Sequence, residues 1–211
     1  VISAFDYKSL IKRPGEYPRL LFVAHREEIL KQSIQVFRGI LRDPNFGDLM
    51  VGGSEPAQVE HLFTSIQSLN SKNLPDITPA DYYHMIIVDE FHHAAAPSYQ
   101  RLLAHYNPKI LLGLTATPER MDGLNILEYF NDKVTAEIRL PEAINRKLLA
   151  PFHYFGVTDV VDLDSVAWRR GAYDPIELSR VYTGNRERVD RIVRAVRDYT
   201  TDIRDIIGLG F

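Results

Sequence analysis

Met85-Ile86-Ile87-Val88-Asp89-Glu90-Phe91-His92-His93 passes in one step from apolar to charged residues. Its first four side chains are apolar and rich in β-branching, the pattern of a strand buried on both faces within a parallel sheet. The strand stops on two carboxylates and two imidazoles. Ligands of open α/β sheets sit in the crevice beyond the carboxyl ends of the strands, so Asp89 and Glu90 are delivered to a candidate site. Neighbouring carboxylates repel each other, and partial burial raises the cost, unless a cation lies between them or one takes a proton. Mg²⁺, which prefers hard oxygen ligands and travels with phosphates and water, relieves that repulsion. One carboxylate then holds the metal, directly or through water, and the other orients or deprotonates an attacking water. A second reading of the same residues makes Asp89 a helix N-cap and Glu90 a solvated first-turn acid.

Ile110-Leu111-Leu112-Gly113-Leu114-Thr115-Ala116-Thr117-Pro118-Glu119-Arg120 is another apolar strand, ending on two hydroxyls around one alanine. Thr117-Pro118 has the cap-then-proline form of a helix or turn start. Together these stretches resemble superfamily II helicases and translocases. Asp89-Glu90-Phe91-His92 is similar to the DExH form of their Walker B motif, and Thr115-Ala116-Thr117 to their motif III. Leu21-Phe22-Val23-Ala24-His25-Arg26 is similar to motif Ia, and Thr64-Ser65-Ile66-Gln67-Ser68-Leu69 to the next nucleic-acid-contacting motif. The four motifs occur in the family's order, each at a strand end. The subgroup resembled is the motor subunits of type I and type III restriction enzymes, which often carry His-Arg in motif Ia and Thr-Ala-Thr-Pro-Glu-Arg in motif III. The resemblance covers about residues 1–158 well and the remainder more loosely.

The resemblance implies an α/β fold, a RecA-like P-loop NTPase in three layers, α/β/α, with a mostly parallel sheet. It implies a first motor domain over 1–158, a helical extension over 159–205 and the start of a second motor domain over 206–211. ATP and Mg²⁺ would be the cofactors, Asp89 holding the metal through water and Glu90 activating the attacking water. His92, Thr115 and Thr117 would couple hydrolysis to movement, His92 by bridging to motif III. Arg26, His25, Thr64 and Gln67 would line a nucleic-acid track, with DNA favoured over RNA. A second RecA-like domain of the same parent chain would supply arginines to the site. The implied function is an ATP-dependent helicase or translocase. Two other classes stay open: a nucleic-acid-binding or assembly module without ATPase activity, and a non-helicase NTPase on the same fold.

Each residue also has a plainer reading. Arg26 can pair with Glu28, and Ser65 can cap a helix. His92 and His93 lack the H-E-x-x-H spacing of a zinc site, and His93 receives no role. The G-x-x-x-x-G-K-[ST] loop that cradles phosphates is nowhere in the 211 residues; in the resembled family it would fall immediately before Val1. A chain without it is expected to bind ATP poorly and to show negligible ATPase activity. The strand leading into that loop would be missing from the centre of the sheet. Each buried ladder group left unpaired would cost ~1–3 kcal/mol, so the gap is expected to be filled.

Composition sets the outer bounds. Apolar residues are 45% and charged residues 25% of the chain, ordinary for a globular protein. The net charge of −3 gives no global basic field, so nucleic acid would have to meet a local groove. The chain has no cysteines, which excludes disulfides and cysteine-based zinc sites and fits a reducing compartment; the expected location is cytoplasmic. No apolar run approaches ~18 residues, so no membrane partner is expected.

The remaining elements follow from pattern. Val1–Lys12 is expected as a helix with Val1, Ile2 and Phe5 on its apolar face, closed by Pro14-Gly15. Strands are expected near 18–24, 49–51, 61–64, 134–140 and 152–157, and helices over 27–41 and 141–149. Asp174-Pro175 opens a short helix. Asn185–Tyr199 is an amphipathic helix with Val189, Ile192, Val193, Val196 and Tyr199 on one face and five arginines on the other. Glu187, Asp190 and Asp198 interrupt that basic stripe, so a solvated face with ion pairs is favoured over a DNA contact.

Overall fold

A computed structural model of the chain describes all residues except 14, 118–125, 159–160, 170–171, 184, 201, 206 and 209–211. The expected Pro118 helix start, the turn at 120–123 and most of the strand at 206–211 lie outside the described residues. The chain separates into two compact units, Val1–Glu137 and Ile138–Phe211.

The first unit contains α1 (Ile2–Ser9), β1 (Leu20–Ala24), α2 (Glu27–Leu41), β2 (Asp48–Met50), β3 (His61–Ser65), α3 (Ile66–Ser71), α4 (Leu74–Ile77), β4 (Met85–Asp89), α5 (Pro97–His105) and β5 (Ile110–Leu114). The strands form one parallel sheet in the order β2-β3-β1-β4-β5. Alternation along each strand divides the core in two. Leu20, Phe22, Phe63, Met85 and Ile87 face Tyr7 of α1 and Leu30, Ile34 and Phe37 of α2. Leu21, Val23, Leu62, Ile86 and Val88 face Leu69, Leu74, Tyr99 and Leu102 of α3, α4 and α5. The three-layer α/β/α architecture follows directly: a strand apolar at every position needs cover on both faces.

Two expectations are corrected in this unit. No gap opens inside the sheet, because β1 pairs directly with β3 on one side and β4 on the other. Among the described residues β5 pairs only with β4 and is an edge strand, half-buried at all five positions. The buried face of α1 is also different. It presents Ser3, Ala4 and Tyr7 inward, while Val1, Ile2 and Phe5 are exposed. Tyr7 sets that rotation: its ring packs on Phe37 and Phe46, and its hydroxyl donates to the carbonyl of Pro18 at 2.5 Å.

The second unit contains α6 (Leu140–Asn145), a two-stranded antiparallel pair β6 (Trp168–Arg169) and β7 (Ala172–Tyr173), α7 (Pro175–Tyr182) and α8 (Arg186–Tyr199). The Asp174 side chain caps α7 by accepting from the backbone N–H groups of Ile176 and Glu177, and Asn185 caps α8 by accepting from that of Arg188. Arg191 lies 3.8 Å from Glu187 on α8, an ion pair of the kind expected for a solvated face. The strands expected at 134–140 and 152–157 are not formed. Residues 152–157 have the composition of a strand but no ladder partner among the described residues, and Tyr154 is 87% exposed. The first compact unit runs to Glu137.

One contact locks the two strands that carry the candidate site. Gly113 of β5 is covered by Phe91, just past β4, and by Phe130. A Cβ added at Gly113 would lie 2.7 Å from Phe130 Cζ and 2.8 Å from Phe91 Cγ. Gly113→Ala is therefore expected to cost about 1–3 kcal/mol by overpacking, read in denaturant unfolding. Unchanged stability would show that the two rings are not seated on this glycine.

Candidate active site and nucleic-acid interface

The sequence-predicted residues gather at the carboxyl edge of the sheet because the register levels the strand ends. Ala24 pairs with Ser65, and Asp89 with Leu114. Residues just past β3, β1, β4 and β5 thus emerge side by side.

Asp89 ends β4 half-buried, with its Oδ1 accepting from the backbone N–H of Glu90 at 3.1 Å. This is a local bond across one peptide, so Asp89 does not cap a helix. Glu90 adopts the left-handed conformation, φ 52° and ψ 50°. Outside glycine that conformation costs roughly 1–2 kcal/mol. It turns the chain sharply into a single turn of 3-10 helix, Phe91–His93, held by the N–H of His93 donating to the carbonyl of Glu90 at 2.9 Å. Phe91 goes into the core, and His92 is left at the site.

The His92 ring joins the two strand ends. Its Nδ1 lies 3.2 Å from Glu90 Oε2 and 3.1 Å from Thr115 Oγ1. One ring nitrogen thus faces both the Glu90 carboxyl and the Thr115 hydroxyl. Thr115 Oγ1 also accepts from the backbone N–H of Thr117 at 3.1 Å, which fixes the turn after β5. Thr117 enters through its backbone, and its side chain is exposed.

Burial, with the nearby charge of Glu90 adding to it, raises the Asp89 carboxyl above its ordinary value. An Asp89 carboxyl disfavoured in its charged form, with a second carboxyl beside it, is the donor chemistry that suits a hard divalent cation, so these residues fit Mg²⁺. Tyr99 of α5 adds a residue that the sequence did not reveal. It is 2% exposed, and burial together with the charges of Asp89 and Glu90 pushes its phenol up to about 12. Its hydroxyl is a buried polar group with no hydrogen-bond partner among the described residues.

The residues expected to face nucleic acid divide. His25 and Gln67 are exposed and meet each other, Gln67 Nε2 lying 3.2 Å from His25 Nδ1. Arg26 is exposed at the N-cap position of α2, and no ion pair joins it to Glu28 among the described residues. Thr64 does not reach this surface. It is fully buried, and its hydroxyl donates to the carbonyl of Met50 at 2.9 Å. Ser65 is the cap of α3, accepting from the N–H of Ser68.

The family model described as "Type III restriction enzyme, res subunit" matches residues 1–120, more than half of the chain. The chain belongs to this family. The match bears out the expected relation to restriction-enzyme motor subunits, and the parallel sheet bears out the expected α/β fold. Similar proteins include the type I restriction enzyme EcoAI endonuclease subunit of Escherichia coli, 27% identical over 146 residues, covering 62% of this chain and 18% of that protein. Another is irc3 of Schizosaccharomyces pombe, which carries the name of a mitochondrial ATP-dependent helicase; it is 31% identical over 117 residues, 53% of this chain and 19% of its own length. A 51.5 kDa protein of a Lactococcus phage is 29% identical over 155 residues, 74% of this chain and 30% of that protein. The chain thus spans less than a third of each of these relatives. The helicase domain of Hef from Pyrococcus furiosus superposes with a TM-score of 0.46 at 19% identity, covering 56% of this chain and 28% of that one.

The raised Asp89 carboxyl sets a sign. The unfolded chain gives up this proton at lower pH than the folded one, so stability falls as pH rises from the ordinary value of 3.8 through the folded value. Asp89→Asn removes that loss while its side-chain oxygen can still accept from Glu90. Without divalent cation the variant is expected to melt higher than wild type at neutral pH and level with it well below pH 3.8. An equal or lower melting point at neutral pH would contradict the reading.

Proposed function

We propose that this res-family domain is the ATP-hydrolysing half-site of a nucleic-acid motor, a helicase or translocase acting on DNA rather than RNA. The observation that carries the proposal is the His92 imidazole spanning Glu90 and Thr115. It ties the carboxylate placed to activate water to the end of the neighbouring strand, so a change at one is felt at the other. DNA is favoured by the family, and the chain is similar to a restriction-enzyme subunit.

In this reading Glu90 accepts the proton of the attacking water, and Asp89 would hold Mg²⁺. Bound Mg²⁺ would neutralise charge on the transferring phosphate. His92, held by Thr115, orients Glu90 and couples it to the turn that Thr117 closes. Arg26, His25 and Gln67 touch the phosphodiester track, which needs donors rather than base readers. A phosphate-cradling loop and a second RecA-like domain complete the site. The location that fits is the cytoplasm; no helix among the described residues is long and apolar enough to cross a membrane.

The test is ATP turnover by the full-length natural protein with and without double-stranded DNA. Stimulation by DNA is expected, and Glu90→Gln should lower turnover by ~10²-fold or more, the loss of a general base. Turnover indifferent to DNA and RNA would assign a different NTPase. Turnover that survives Glu90→Gln would remove the carboxylate from its role.

A further inference from the structure

His93 lies between the two halves of the site. Its ring centroid is 4.2 Å from that of His92, tilted by 47°, and 5.7 Å from that of His25, tilted by 41°. His25 in turn meets Gln67, and His92 meets Glu90 and Thr115. These contacts run without a break across four adjacent strand ends: Gln67 past β3, His25 past β1, His92 and His93 past β4, Thr115 past β5. Three imidazoles thus connect the face proposed for nucleic acid to the carboxylate proposed for catalysis.

Core packing does not explain this arrangement. His25 and His93 are both exposed, and neither belongs to either hydrophobic cluster. The 3-10 turn after Glu90 places His92 and His93 in consecutive positions with their rings in contact.

We propose that His93 is a positioning residue that transmits engagement of nucleic acid at His25 and Gln67 to His92, and through it to Glu90. The inference rests on the motor reading above and adds the residue by which the track reaches the catalytic carboxylate. A backbone phosphate drawing His25 toward it changes the seat of the His93 ring. That change moves His92 against Glu90 and Thr115. His93 needs no contact with substrate to act in this way.

The experiment measures ATP turnover by the full-length protein across a titration of double-stranded DNA, for wild type, His25→Ala, His93→Ala, His93→Phe and the His25→Ala/His93→Ala double variant. His93→Ala is expected to lower the ratio of stimulated to basal turnover by ~5-fold or more, the lower end of an allosteric coupling. The DNA concentration for half-maximal effect should stay within about twofold, since His93 itself does not hold the strand. His93→Phe, which keeps a flat ring between the two imidazoles, should restore most of the ratio. The double variant should be no worse than the more impaired single one. A merely structural role would lower basal and stimulated turnover by the same factor, and that result overturns the inference. So do losses that multiply in the double variant, and so does a phenylalanine that fails to rescue. Wild-type turnover that DNA leaves unchanged overturns the motor reading, and this inference falls with it. Stimulated wild-type turnover with any of the other contrary results overturns this inference alone.

Discussion

The parallel register of β1, β4 and β5 is the constraint on which the site depends. Val23 pairs with Val88, and Val88 with Gly113, so three strand ends stand level at one edge of the sheet. Parallel strands need crossover helices, and those helices bury both faces. The apolar runs of β1 and β4 are therefore required by the architecture that also exposes their last residues. Chemistry collects where the apolar requirement stops, at His25, Asp89 and Thr115. One imidazole, His92, closes the distance between β4 and β5.

Local strain and close packing hold that imidazole in place. Glu90 takes a left-handed conformation that a non-glycine residue does not adopt without compensation, and the 3-10 turn supplies it through two backbone hydrogen bonds, from His93 to Glu90 and from Ala94 to Phe91. Phe91 then seats on Gly113, where no larger residue fits without a shift. The same turn drives Phe91 inward and leaves His92 and His93 at the edge. The site is thus fixed by backbone and core, and its polar side chains need few bonds of their own.

Much of this was legible in the sequence. The apolar runs 20–24, 85–88 and 110–114 announced buried parallel strands, and Asp89, Glu90, His92 and Thr115 stand together as their positions implied. The unread parts depend on what lies next to what. Composition does not state strand order, so β5 was not recognised as an edge. Thr64 looked like a surface hydroxyl because sequence cannot show that the Met50 carbonyl of the neighbouring strand takes its hydrogen. Tyr99 belongs to no motif, and only its placement near Asp89 and Glu90 gives its phenol a charged surrounding. Residues 152–157 had strand composition, but a strand forms only with a partner.

The most direct measurement is a double-mutant cycle on His92→Ala and Thr115→Ala, read as DNA-stimulated ATP turnover by the full-length protein. If the His92 ring joins Glu90 to the end of β5, removing either partner breaks the same link. The double variant should then lose no more than the worse single variant, with an interaction energy of about 0.5–3 kcal/mol. Losses that simply multiply would show two residues acting independently and would contradict the bridge on which the proposed mechanism stands.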